Sequence, residues 1–148
     1  VIDRANERLE VMTHGRYSLR RTDEREGRGR RQGLGLVVVD HVPTDTERDP
    51  RTLSGGETFL ASLAMALGLS DTVTSEAGGV ELDSLFVDEG FGSLDPDALD
   101  MVMDQLERLR AGGRCVGVIS HVGEMKQRIA ERVSVRPNGD GTSTLTTS

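Results

Sequence analysis

The run Leu85-Phe86-Val87-Asp88-Glu89-Gly90-Phe91-Gly92-Ser93-Leu94-Asp95 restricts what this chain can become more than any other stretch. An apolar segment stops at two adjacent carboxylates, a glycine-rich turn follows, and Asp95-Pro96 opens a helix. Leu85, Phe86 and Val87 read as a strand buried on both faces, the kind that parallel sheets contain. Ligands of open α/β sheets bind beyond the carboxyl ends of such strands. Two acids placed there suit phosphate chemistry: one holds a hydrated Mg²⁺, and its neighbour orients or deprotonates the attacking water. A lone Asp-Glu pair would read instead as an acidic exit from a strand.

This pair has company. Upstream stands Leu53-Ser54-Gly55-Gly56-Glu57, followed by an apolar stretch from Phe59 to Leu69. Ser54 is a good N-cap, and the paired glycines leave backbone N–H groups free at a helix start, where unsatisfied donors and the macrodipole both favour an anion. Phe59, Leu60, Leu63, Ala64 and Leu67 share one face of that helix, which should be well buried. Ser75 to Gly79 reads as the next loop. Downstream, the strand Cys115 to Ile119 ends in Ser120-His121. Between the two strands, Asp95 caps a helix with Pro96 at its first position. Its buried stripe is Leu99, Val102, Met103, Leu106 and Leu109, and Gly112-Gly113 end it. Strand, helix and strand make a βαβ unit whose simplest topology is parallel.

At the amino end, Ile2, Ala5, Leu9 and Met12 follow the 3-4-3 spacing of a heptad seam, which an ordinary amphipathic helix fits equally well. Gly15 stops the helix, and strands at Tyr17-Ser18-Leu19 and Leu34 to Asp40 follow. Between them, Arg20 to Gly33 is crowded with arginines and reads as a solvated hairpin loop or as a contact to a DNA backbone. His41 to Thr52 reads as a loop. His14 and His41 lack a second ligand at metal spacing and read as surface histidines. Beyond His121, a helix from Met125 to Glu131 precedes a hairpin with Val133 and Val135 on one arm and Asn138-Gly139-Asp140-Gly141 at its turn.

Composition narrows the class. At 148 residues the chain is one domain or part of one. Its net charge of -7 argues against an electrostatic nucleic-acid clamp as a whole. The single cysteine, Cys115, reads as core, and with no signal peptide or membrane-length apolar run a reducing, cytoplasmic setting is expected. The lone lysine, Lys126, lies in a helix pattern, and no G-x-x-x-x-G-K-[S/T] stretch occurs. The expectation is a fragment whose phosphate-cradling loop lies elsewhere.

In this order and spacing, the three motifs resemble the carboxyl-terminal half of an ABC-type ATPase head: signature motif, Walker B with its D-loop, and switch histidine. Thr58-Phe59-Leu60-Ala61-Ser62-Leu63-Ala64 after the signature and Gly90-Phe91-Gly92-Ser93-Leu94-Asp95 after the acids depart from transporter patterns and resemble the bacterial SbcC family, the ATPase subunit of a DNA exonuclease complex. Ala5-Asn6, Leu9, Met12-Thr13 and Gly15-Arg16-Tyr17 resemble that family's descent from its coiled coil into the head. The resemblance implies an α/β fold, the carboxyl-terminal lobe of an ABC-type P-loop NTPase head. Residues 1–14 would end a coiled coil, and residues 15–148 would form a mostly parallel sheet flanked by helices, with β-hairpins. It implies ATP and Mg as cofactors. Asp88 would bind the metal through water, Glu89 would position or deprotonate the hydrolytic water, and His121 would contact the γ-phosphate. Ser54, Gly55, Gly56 and Glu57 would meet the ATP of a second head, and Ser93 and Asp95 would reach across the same interface. The implied partners are an amino-terminal ATPase lobe, a second copy, the SbcD nuclease subunit and double-stranded DNA, with no membrane. The chain alone should not hydrolyse ATP. An SMC-like or other ABC-class ATPase, and a non-hydrolysing dimerisation or DNA-binding module, are the competing readings.

Overall fold

The computed structural model describes residues 1–22, 35–76 and 83–148. The first helix, α1 (Ile2–Met12), buries Ala5, Leu9 and Met12, so the heptad-like seam faces the interior of this chain. Past Thr13 the backbone enters the left-handed region at His14 (φ 50°) and Gly15 (φ 73°), reversing the chain into β1 (Tyr17–Arg21). Asn6 holds that reversal from both sides, donating to the Leu19 carbonyl at 3.0 Å and accepting from the Leu19 amide at 2.7 Å.

Strand β1 pairs antiparallel with β2 (Leu36–Asp40), from Tyr17 opposite Asp40 to Arg21 opposite Leu36. The hairpin is therefore formed as expected. Arg20 and Arg21 lie in its strand, and Arg20 pairs with Glu47. The other arginines of the basic stretch, Arg25, Arg28, Arg30 and Arg31, lie outside the described residues. The segment expected as a loop from His41 to Thr52 contains β3 (Thr46–Arg48), antiparallel to β2, and a 3₁₀ turn over Pro50–Thr52. Its polar sequence carries no alternating pattern, because this short edge strand is held by backbone pairing rather than by burial. Asp49 caps the turn through the Arg51 amide at 2.9 Å.

Helix α2 (Gly55–Glu76) is longer than its apolar stretch, so Ser75 and Glu76 belong to it, and the rest of the expected loop lies outside the described residues. It buries Leu60, Leu63, Ala64, Leu67 and Gly68. A Cβ on Gly68 would sit 2.5 Å from the Ala5 amide nitrogen, so α1 and α2 approach backbone to backbone there. An ion cluster clamps the same crossing: Arg8 donates to Asp71 at 2.9 Å, and Arg114 lies 3.5 Å from the other Asp71 oxygen.

Strand β4 (Ser84–Asp88), helix α3 (Pro96–Ala111) and strand β5 (Cys115–Ile119) form the βαβ unit, and β4 pairs parallel to β5. Among the described residues this is the one parallel pair, beside three antiparallel ones. Two expectations fail on it. The strand at Leu85–Val87 is buried on one face only: Val87 is buried and Leu85 half-buried, but Phe86 is 69% exposed. Cys115 is exposed rather than core. Alternation explains both, because Phe86 and Asp88 share the outer face of the pair with Cys115, Gly117 and Ile119. An unbroken apolar run marks a strand with two apolar faces and says nothing of where the covering layer comes from.

Helix α3 carries the expected stripe, with Leu99, Val102, Leu106 and Leu109 buried and Met103 half-buried. Helix α4 (Met125–Arg128) is shorter than expected, ending before Glu131. Strands β6 (Val133–Pro137) and β7 (Ser143–Thr147) close the predicted hairpin, and Val133, Val135 and Leu145 are all exposed on it. No helix among the described residues is long and apolar enough to cross a membrane.

Candidate active site

The functional residues expected from sequence fall into two groups. The first stands at the carboxyl ends of β4 and β5. Asp88 ends β4 on the exposed outer face. Glu89 follows in the left-handed region (φ 54°), a conformation disfavoured for a residue with a side chain and found where a site demands it. Its amide is fixed by the Ile119 carbonyl of β5 at 2.9 Å. The Glu89 carboxylate then meets His121 Nδ1 at 3.0 Å. The parallel pairing thus brings together two groups that lie 32 positions apart in the chain. Among the described residues no cluster of three ligating side chains could cage a metal ion. A single exposed carboxylate, Asp88, suits Mg²⁺ nonetheless, since that ion keeps several waters and takes the remaining oxygens from phosphates.

The second group surrounds the start of α2. Ser54 Oγ accepts from the Glu57 amide at 3.2 Å, and the Glu57 carboxylate accepts from the Ser54 amide at 2.8 Å, a reciprocal capping box. Ser54 also takes the Thr58 amide on its carbonyl, leaving the amides of Gly55 and Gly56 without a partner among the described residues. The turn after Glu89 packs on this helix start. A Cβ on Gly56 would lie 2.7 Å from the Ser93 carbonyl oxygen, and one on Gly55 would lie 3.4 Å from Ser93 Cβ. Ser54, Gly56, Glu57, Ser93 and Asp95 consequently line one open cleft of about 290 Å³. Asp88, Glu89 and His121 do not line it.

Within the second group, two expected ligands are engaged locally. Asp95 caps α3 by accepting from the Ala98 amide at 2.9 Å, and Ser93 Oγ donates to the Gly90 carbonyl at 2.7 Å. Glu57 is more firmly committed. Besides the capping box, it accepts from the Tyr17 hydroxyl at 2.5 Å and from Arg48 at 3.3 Å. Burial works against its charge, but the Tyr17, Ser54 and Arg48 donors outweigh it and lower the carboxyl to about 2. Burial and the adjacent carboxylate push the Tyr17 phenol up to about 12. Arg48 lies 3.6 Å from Asp40, whose carboxyl is held down chiefly by Arg16 at 3.2 Å. This network ties the β1–β3 sheet to the start of α2. Of this network only Ser54 was read from the sequence, as an N-cap; the Ser-x-x-Glu spacing could have signalled the capping box, whereas Tyr17, Arg48 and Asp40 carry no motif. The histidines expected as surface residues are exposed, with His41 bridging Ser18 at 2.9 Å and Asp45 at 2.5 Å.

Residues 8–108 match the family model described as SbcC/RAD50-like, Walker B motif. The chain belongs to that family. The SbcC/RAD50-like match spans α1 to α3 and takes in Ser54, Asp88, Glu89 and Asp95. The SbcC component of the Vibrio cholerae nuclease SbcCD is 50% identical over 135 residues, which are 91% of this chain and 13% of that protein. The chain therefore spans about an eighth of that relative's length. Among solved structures, an SMC ATPase studied for ATP-driven dimerisation and DNA-stimulated activation aligns with a TM-score of 0.71 at 18% identity, covering 99% of this chain and 82% of that one. The Smc head domain with an extended coiled coil from Pyrococcus furiosus, bound to the C-terminal domain of ScpA, aligns with a TM-score of 0.69 at 18% identity, over 99% of this chain and 34% of that one. These likenesses establish the fold of an SMC-type ATPase head, within which the SbcC/RAD50-like sequence sits.

Proposed function

We propose that this chain is the carboxyl-terminal lobe of an ATP-hydrolysing head in an SbcC-type protein, working with an SbcD-type nuclease on double-stranded DNA in recombination and repair. The observation that carries the reading is the Glu89–His121 pair at the carboxyl ends of β4 and β5, beside Asp88. Bound ATP with Mg²⁺ would supply a γ-phosphoryl group poised for in-line attack by water. Asp88 holds the hydrated metal. Glu89 positions or deprotonates the attacking water, and His121, whose Nδ1–H donates to that carboxylate, keeps it oriented and, when doubly protonated, also presents Nε2–H to the γ-phosphate. The phosphate-cradling loop belongs to an amino-terminal lobe, which covers the outer face carrying Phe86, Ile119 and Asp88.

The separate cleft of Ser54, Gly56, Ser93 and Asp95 serves a second head. There the free amides of Gly55 and Gly56, the Ser54 hydroxyl and the helix dipole meet the γ-phosphate of ATP held by the other copy. Ser93 and Asp95 meet the facing head. ATP thus joins two heads, hydrolysis releases them, and the closed state controls DNA access to the nuclease. Glu57, with its carboxylate committed to Tyr17, Arg48 and the Ser54 amide, shapes the loop rather than touching nucleotide.

In the full-length polypeptide, Glu89→Gln should keep ATP-driven dimerisation and lose roughly two to four orders of magnitude in turnover, the span of a lost general base. Turnover within tenfold of the parent would sink the assignment. Ser54→Arg should block dimerisation instead, by placing bulk and charge in the facing phosphate site.

A further inference from the structure

The two groups of site residues are joined by one aromatic contact that neither of them uses. Phe59 lies one turn into α2, on the face shared by Gly55 and Gly56. Its ring sits directly over Gly90, where a Cβ would collide with Phe59 Cδ2 and Cε2. It also meets Phe91 edge-on, with centroids 5.0 Å apart and an interplanar angle of 61°. Phe91 is almost wholly buried, so the turn it anchors has a fixed floor. Gly90 (φ 97°) follows Glu89 (φ 54°), and this pair of left-handed residues aims the Glu89 carboxylate at His121. On the other side of the turn, Gly92 faces His121 Nε2, to which a Cβ would lie 3.9 Å. Helix α2 is thus packed along the turn from Gly90 to Leu94, with its glycines on Ser93 and its phenylalanine on Gly90 and Phe91.

We propose that Phe59 is a positioning residue that couples the two ATP sites of a head dimer. The inference rests on the function proposed above. In that dimer, the start of α2 meets nucleotide held by the other copy, whereas Glu89 of the same chain acts on its own head's nucleotide. A shift of α2 on engaging the facing γ-phosphate moves Phe59, whose ring packs directly on Gly90, and so presses on or releases that turn. The left-handed Glu89-Gly90 pair then settles into, or leaves, the geometry that points the carboxylate at the attacking water. Each head therefore reports the occupancy of the other site to its own general base through a ring-on-backbone contact. Packed elements of this kind switch between discrete arrangements rather than deforming smoothly.

The test is steady-state ATP hydrolysis by the full-length polypeptide, read as kcat, KM and Hill coefficient, with ATP-driven dimerisation followed by light scattering. Phe59→Ala should dimerise with ATP as the parent does while kcat falls roughly tenfold to a hundredfold, the scale of a misplaced catalytic group. Its Hill coefficient should fall below the parent's, since only the cooperativity of ATP-driven dimerisation itself then remains. Phe59→Leu, which keeps bulk but not the ring edge, should lose only about threefold in kcat with partial cooperativity, and it carries the test if the alanine variant fails to fold. A Phe59→Ala enzyme with parent-like kcat and Hill coefficient overturns the proposal, even if its Tm falls. So does loss of dimerisation in both variants, which would make Phe59 part of the phosphate site itself, and so does a non-cooperative parent. Turnover that survives Glu89→Gln sinks the underlying reading instead, which separates the two failures.

Discussion

Where α1 crosses α2, Ala5 and Leu67 are wholly buried and Gly68 has no room for a side chain, whereas on the outer face of β4–β5 Phe86 is 69% exposed and Ile119 54%. Both surfaces are apolar, and both belong to elements that the sequence announces strongly. The helical side closes on itself, with the Arg8–Asp71–Arg114 cluster fixing the crossing. The sheet side stays bare, as does the β6–β7 hairpin with Val133, Val135 and Leu145. Exposed apolar area at this level marks a surface built to be covered. The helical side holds this chain together, and the sheet side presents apolar surface that nothing among the described residues covers.

Substitutions on the closed side should be costly. Gly68→Val would drive a branched side chain into the Ala5 backbone and the Val1 carbonyl, neither of which can yield without moving α1. We expect a loss of about 3 kcal/mol in chemical denaturation of the chain, at the upper end of overpacking costs. A loss below about 1 kcal/mol would mean that α1 drifts freely over α2, and the contrast between the two sides would weaken.

A smaller effect should follow at the polar seam between the sheet and α2. The Glu57 carboxyl lies at about 2 instead of 4.5, so the folded state holds the charged form more tightly than the unfolded chain does. Its stabilisation is present above pH 4.5 and is lost as pH falls from there towards 2. Glu57→Gln keeps the capping box but loses the charge opposite Arg48. It should cost about 1–2 kcal/mol at neutral pH and flatten that acid limb in Tm measured against pH. An unchanged limb would move the acid sensitivity to Asp40, whose carboxyl Arg16 also holds down.

These contrasts bear on what the sequence could reveal. Helices α1, α2 and α3 were legible because their apolar residues recur at helical spacing, and Asp95-Pro96 and Gly112 marked the ends of α3. The Glu89–His121 meeting was implied by two motifs, each ending a strand, once those strands were taken as parallel neighbours. Strand β3 was hidden because Thr46, Glu47 and Arg48 carry no pattern and owe their conformation to backbone pairing with β2. The Tyr17–Glu57–Arg48 network and the Phe59–Phe91 contact were hidden because they join distant segments through single residues. The exposure of Phe86 and Cys115 was misjudged for a different reason: local sequence records that a face is apolar, not which part of the polypeptide covers it.

The sharpest test of the contrast is therefore the one with the least effect on the chain alone. Phe86→Ser removes a large ring from a strand whose buried neighbour, Val87, faces the core. If the outer face is bare, the ring is solvated in folded and unfolded states alike, and denaturation of the chain should shift by no more than about 0.5 kcal/mol. Any self-association of the chain through this face should weaken, since an exposed apolar ring favours contact between copies. If, as proposed above, an amino-terminal lobe covers this face in the full-length polypeptide, the same substitution there should cost roughly 1.5–3 kcal/mol, the worth of burying a phenylalanine. A loss above about 1 kcal/mol in the chain alone would mean that the ring is already covered within these 148 residues. The sheet side would then be as closed as the helical side, and the proposal that an amino-terminal lobe packs beside Asp88, which shares that face, would fail.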